Sequence, residues 1–140
     1  MSISFLDQMS LVVVDAEPDD YLHLLPSIED QGLCPHFFTQ GDELLQSDIP
    51  ASTVCWLINY ELPDMWGLEL CELVRQRLAH STTFIVADEY DLAAETEVLS
   101  SGLGQFACKP IHPQWLRQGA RWKPSYRRQL EMRSRVRKTA

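Results

Sequence analysis

The chain has 140 residues, 45% of them apolar, which is one domain's worth and enough to bury a core without metal or disulfide staples. Its four cysteines (Cys34, Cys55, Cys71, Cys108) form no C-x-x-C pair, so buried reduced thiols are expected, not bridges or metal ligands. The sequence has no apolar run of about 18 residues and no basic, apolar leader, so neither a membrane span nor a secretory signal is expected and a cytoplasmic location is.

Charge is unevenly spread. Nine of the 12 Lys and Arg fall between Arg117 and the end, against the single acid Glu131, for a net +8 in that segment. The preceding 116 residues hold the other 3 basic and 19 acidic residues, a net of −16. An acidic body of about residues 1–120 with a basic extension over 121–140 is the expected organisation.

In chain order, "LVVVD" (11–15) is a first strand ending at Asp15, and Pro18 followed by Asp19 and Asp20 starts a helix that Gly32 can stop. Pro26 lies inside that helix and predicts a kink or early break. "HFFT" (36–39) is a second strand, with a short helix from Glu43 to Gln46. "TVCWLIN" (53–59) is a third strand. "GLELCELVRQRL" (67–78) follows as a helix with Leu70, Leu73, Val74 and Arg77 at helical spacing. "TFIVA" (83–87), "DLAAETEVLSSG" (91–102) and "QFAC" (105–108) complete the pattern as strand, helix and strand. Short apolar strands alternating with helices predict a parallel sheet covered on both faces. Right-handed crossovers then bring Asp15, Asn59, Ala87 and Lys109 to one rim, where open α/β sheets place their chemistry.

In this arrangement the chain resembles the receiver domain of two-component response regulators, over about residues 10–120. The resemblance rests on Asp15 at the end of strand one, the loop "NYELPDMWG" (59–67) after strand three, and Lys109-Pro110 after strand five. It implies the α/β flavodoxin-like fold, a doubly wound five-stranded parallel sheet of order 2-1-3-4-5. It also implies a role in signal transduction and a proline that the family often holds in the cis form. Phe106 matches the aromatic position that in the family moves on activation.

The departures fall on the positions that carry the family's chemistry. Ala16 stands in place of the second metal-binding acid, Asn59 in place of the phosphoacceptor aspartate, and Ala87 in place of the Thr or Ser that ends strand four. Phosphoryl acceptance needs an anionic oxygen in line with phosphorus and cations to neutralise developing charge. An amide oxygen is neutral and its lone pair is delocalised, so Asn59 cannot form the ordinary acyl phosphate. Asp15 and Lys109 are expected to pair and cancel, with Lys109 replacing the magnesium ion and bonded to the Asn59 oxygen. No metal, no cofactor and no catalytic residue are expected. Glu17, Glu61 and Asp88 are the nearby acids that could supply the missing ligand.

Trp66, in the loop beside the pocket, is a candidate anchor for a signalling partner, or a ring folded onto its neighbours. Trp115 is expected to pack, and the dispersed His23, His36, His80 and His112 have no metal-ligand spacing. Beyond Pro124 the basic segment has helix-forming composition and a thin apolar seam of Tyr126, Leu130 and Val136. Three uses for it stand open: a solvated tail or linker, a helix docked on an acidic surface of this chain or of a second copy in a homodimer, or contact with nucleic acid. A body of −16 opposes the last. The leading functional expectation is a receiver module that works by protein contacts without aspartyl phosphorylation. A DNA-associated regulator using residues 117–140 is the alternative.

Overall fold

The computed structural model of the chain describes residues 9–120. Five strands, β1 (Met9–Val14), β2 (Leu33–Phe38), β3 (Thr53–Asn59), β4 (Thr82–Ala87) and β5 (Gln105–Cys108), pair in parallel in the order β2-β1-β3-β4-β5. The connections carry a 3-10 helix (Pro18–Leu24), α1 (Leu25–Asp30), α2 (Gly41–Gln46), α3 (Gly67–Leu73), α4 (Arg75–Leu78) and α5 (Leu92–Ser101). The described part closes with α6 (Pro113–Ala120). This is the flavodoxin-like, doubly wound sheet that the sequence predicts.

Alternation along each strand divides the interior into two layers. Leu11, Val13, Cys55, Leu57, Phe84 and Val86 pack with Tyr21, Leu24, Ile28, Ile111 and Leu116 on one face. Val12, Val14, Trp56, Ile58 and Ile85 pack with Leu44, Leu70, Cys71 and Val98 on the other. Continuous apolar strands are what a sheet covered on both faces requires. Among the polar residues, Trp56 is buried with its indole N–H donating to Ser81 Oγ at 2.8 Å, so the large ring enters the core without an orphaned donor. Trp115 packs as expected, its ring stacked on Phe84 at 6.1 Å between centroids. The four cysteines are free thiols, with Cys55 and Cys71 buried but Cys34 and Cys108 only half-buried.

Some ends shift by one or two residues (β1 is Met9–Val14, not 11–15; β4 starts at Thr82; α2 starts at Gly41), and three further differences are larger or change the element. The helix after β1 is 3-10 up to Leu24, and Pro26 then sits in the first turn of α1, where its missing N–H removes no intrahelical bond. The expected break therefore occurs as a change of helix type. Strand β2 starts at Leu33, three residues before "HFFT", and ends at Phe38; it lies at the sheet edge, which tolerates Pro35. The helix expected over 67–78 is interrupted at Val74 (φ −107°, ψ 18°), and Leu73 is 64% exposed although its spacing placed it on the apolar face. Apolar spacing does not register a one-residue change of backbone conformation.

Asp91 caps α5 by accepting from the Ala93 N–H at 3.0 Å, and Gly102 ends it in the left-handed region at φ 69°. The cap of α2 comes from elsewhere in the chain. Asp64, in the β3–α3 loop, accepts from the Gly41 and Asp42 N–H groups at 2.9 Å each. Despite partial desolvation, these backbone bonds hold the Asp64 carboxyl below its ordinary pKa. No helix among the described residues is long and apolar enough to cross a membrane.

Candidate functional site

Asp15 directly follows β1, Asn59 and Ala87 end β3 and β4, and Lys109 directly follows β5, so the four stand at one rim of the sheet. Asp15 and Asn59 are each 2% exposed, so their polar atoms need partners within the protein. Asp15 Oδ1 accepts from the Glu17 N–H at 2.8 Å. Its Oδ2 accepts from Tyr21 Oη at 2.7 Å and Asn59 Nδ2 at 2.8 Å, and lies 2.9 Å from Lys109 Nζ. Four donors thus meet Asp15, three of them at Oδ2 and one at Oδ1.

Asn59 is held by both ends of its amide. Oδ1 accepts from the Glu61 N–H at 2.9 Å, which turns Nδ2 toward Asp15 and toward Asp88 Oδ1 at 3.0 Å. Donation to two carboxylates is something an aspartate at this position could not do. The expected bond from Lys109 to the Asn59 oxygen is therefore replaced by one from the following backbone.

The expected cancellation of Asp15 by Lys109 also needs correction. The Lys109 ammonium lies 2.7 Å from Asp20 Oδ2 and 2.7 Å from Asp88 Oδ1 as well as 2.9 Å from Asp15. Three carboxylates and one ammonium carry a formal −2, not zero. Asp20 arrives because the 3-10 helix winds back over the end of β1, a turn that the sequence pattern does not specify. Of the nearby acids, Asp88 joins the cluster by its side chain, whereas Glu17 and Glu61 supply backbone N–H groups. The side chains of Asp20 and Asp88 are about half and two-thirds exposed, so water screens part of the excess charge.

Burial of Lys109 works against its charge, but its bonds to Asp20, Asp88 and Asp15 outweigh that and raise its pKa above the ordinary lysine value. The bond from Lys109 in turn lowers the pKa of Asp88. Tyr21 is fully buried, and burial together with the Asp15 charge pushes its phenol far above the ordinary tyrosine range, so it remains a donor. The ammonium also lies 5.5 Å from the centroid of the Tyr21 ring. Neither Tyr21 nor Asp20 was singled out from the sequence; the adjacent acids after Pro18 were a usable signal for Asp20, but Tyr21 gave none.

The residues present do not fit the magnesium ion that the resemblance implies. Asp15 Oδ2 is met by three donors, Ala16 is an exposed methyl, and an ammonium already bridges the carboxylates. Among the described residues no trio of His, Cys, Asp or Glu is placed to hold a metal ion.

Ala87 is buried at the end of β4 and presents a methyl group. Phe106 is half-buried, packs against the second layer, and meets Tyr90 edge-on at 6.1 Å. The loop after Asn59 closes through an antiparallel bridge between Glu61 and Trp66, and the Gly67 N–H donates to the Tyr60 carbonyl at 2.8 Å. Trp66 lies 5.6 Å from Tyr60, ring centroid to centroid, and is 49% exposed. Tyr126, Leu130 and Val136 lie outside the described residues.

No family model and no curated protein matches the sequence. Solved structures do match by fold. The model is similar to a CheY-like response regulator receiver domain protein from Methanospirillum hungatei (19% identity, TM-score 0.67, covering 90% of this chain and 99% of that one). It is similar to a signal receiver domain from Vibrio parahaemolyticus (14%, 0.67, 92% and 97%) and to the BeF3-activated DrrB receiver domain of Thermotoga maritima (17%, 0.66, 78% and 91%).

Proposed function

We infer that residues 1–120 form a receiver module of the response-regulator type that acts in signal transduction through protein contacts, independently of aspartyl phosphorylation. The observation that carries this reading is the Asn59 amide, whose nitrogen donates to Asp15 and Asp88 where phosphoryl chemistry needs an incoming carboxylate oxygen. The Lys109 ammonium supports it by bridging Asp15, Asp20 and Asp88, so that a fixed cation already stands among these carboxylates. With a methyl at Ala87 there is no hydroxyl on that strand end to grip a phosphoryl oxygen and couple it to Phe106. Output then depends on the surface as folded, with Trp66 as a point of partner contact.

The test is treatment of the full chain with a small-molecule phosphodonor, or with beryllofluoride, in the presence of magnesium. Intact-mass measurement should show no phosphoryl adduct, and amide NMR should show no beryllofluoride-dependent shifts at the rim. A stable adduct mapped to Asp15, Asp20 or Asp88 would overturn the reading and make this a working phosphoreceiver with an unexpected acceptor.

A further inference from the structure

Beside the Asn59 cluster, between the loops that follow β3 and β4, lies a cleft of about 610 Å³. Its wall is aromatic and its rim acidic. Trp66 and Tyr90 are 49% and 60% exposed, and Tyr60 stands behind Trp66 at 5.6 Å. Glu61, Glu89 and Asp91 line it with Asp88, and no Lys or Arg is among the lining residues. The tyrosine hydroxyls are turned to further acids, Tyr60 to Glu97 and Tyr90 to Glu95, so negative charge backs the rings as well.

Exposed aromatic faces ringed by carboxylates suit a guanidinium or ammonium group, which stacks on the ring while its N–H groups meet the acids. The acidic rim alone would attract cations weakly and without preference over the rest of a −16 body. The exposed rings are what distinguish this place, because planar Arg side chains stack on them. The chain carries such groups itself: seven Lys or Arg follow Arg121 between Lys123 and Lys138, four of them in the pairs Arg127-Arg128 and Arg137-Lys138. Chain length permits the contact. Twenty residues follow Ala120 and span up to about 66 Å when extended, against a domain some 35 Å across for this length.

We propose that this cleft captures the chain's own basic C-terminal segment, residues 121–140, with arginine side chains over Trp66 and Tyr90 and the carboxylates of Glu61 and Glu89 around them. The segment thereby covers the rim from which a partner would read Asn59 and its loop. The capture depends on charge and exposed rings, not on whether the cluster accepts phosphate, so it stands or falls separately from the function given above.

The test follows the Trp66 indole N–H by NMR in the full chain, its signal identified by its loss in Trp66→Phe. In low salt the signal should differ clearly between the natural chain and one carrying Arg127→Glu, Arg128→Glu and Arg133→Glu. Raising salt to about 0.5 M, where screening acts within roughly 4 Å, should move the natural signal to the position of the reversed-charge chain. Adding Glu61→Lys and Glu89→Lys to the reversed-charge chain should bring back the salt-sensitive shift. Coincident signals in low salt would overturn the proposal. So would a shift that grows with protein concentration, which would assign the cleft to a second copy.

Discussion

Asn59 contributes two N–H donors at the one position where two carboxylates converge, and its side chain is nearly the shape of an aspartate. Asn59→Asp therefore keeps the volume, removes the bonds to Asp15 and Asp88, and adds a third negative group beside them. We expect a loss of about 2–3 kcal/mol at neutral pH, measured by urea unfolding. Like charges raise the pKa of the new carboxyl, so the deficit should shrink as pH falls toward about 4. Magnesium should stabilise Asn59→Asp combined with Ala16→Asp more than the single variant, because only the pair adds a further ligand; equal stabilisation would contradict the account of the pocket. Lys109→Met leaves buried Asp15 without its cation, and a loss of about 3 kcal/mol is expected. The pH window follows from the shifts. The Asp88 pKa is lowered, so its pairing contributes fully above the ordinary carboxylate range and is lost as pH falls through the folded value. The Lys109 pKa is raised, so its contribution is full below its ordinary value near 10.5 and is lost as pH rises through the higher folded one. The stability difference between the natural chain and Lys109→Met should accordingly be flat from about pH 5 to 9 and diminish on either side.

Elements are joined around the site by backbone contacts close enough to exclude a methyl group. A Cβ built on Gly67 would lie 2.1 Å from the Asn59 carbonyl oxygen and 3.0 Å from its carbon, both backbone atoms of β3 that cannot swing aside. Gly67→Ala should therefore push the start of α3 off β3, disturb the bond that orients Asn59, and cost about 3 kcal/mol. Gly102 has no neighbour within 4 Å of such a Cβ, and only its φ of 69° opposes substitution. Gly102→Ala should cost about 1 kcal/mol. Thermal denaturation of the two variants checks the ranking, and a larger loss at Gly102 would mean that the β3–α3 junction is more compliant than its contacts imply. The site side chains thus depend on how tightly a helix approaches a strand, a property of the junction and not of Asn59 itself.

At the scale of the whole molecule, one sheet serves two apolar layers, and adjacent residues of β3 belong to different ones. Leu57 is fully buried in the layer with Tyr21 and Leu116, and Ile58 in the layer with Leu44 and Val98. Leu57→Ala and Ile58→Ala should each destabilise by about 2–5 kcal/mol, a large share of the stability of a domain this size. Because both layers rest on the same hydrogen-bonded strands, each variant should still unfold in one transition. Near-UV and far-UV circular dichroism should report the same midpoint for each, and two separated midpoints would show that the layers unfold independently.

The sequence by itself determined a parallel sheet and the strand ends that carry Asp15, Asn59, Ala87 and Lys109, because these follow from local signals: apolar runs, helix stops and the alternation of strand with helix. The order 2-1-3-4-5 was implied by the family resemblance, and the structure has it. The limits of "TVCWLIN" and "QFAC" and the left-handed stop at Gly102 agree residue by residue with the structure. What only the tertiary structure decided is how the charges of the site are shared. Asp20 reaches Lys109 across 89 positions of the chain, Tyr21 turns inward to Asp15, and Asp88 turns toward Asn59. Asp64, from a loop, caps α2 across 23 positions. Side-chain direction depends on the turn that a 3-10 helix makes over a strand end and on which donors remain unsatisfied once the core has closed, and neither has a signature in local periodicity. The interruption at Val74 was likewise not legible: apolar spacing placed Leu73 on the core face, whereas the change of backbone conformation at Val74 ends α3 and Leu73 is exposed.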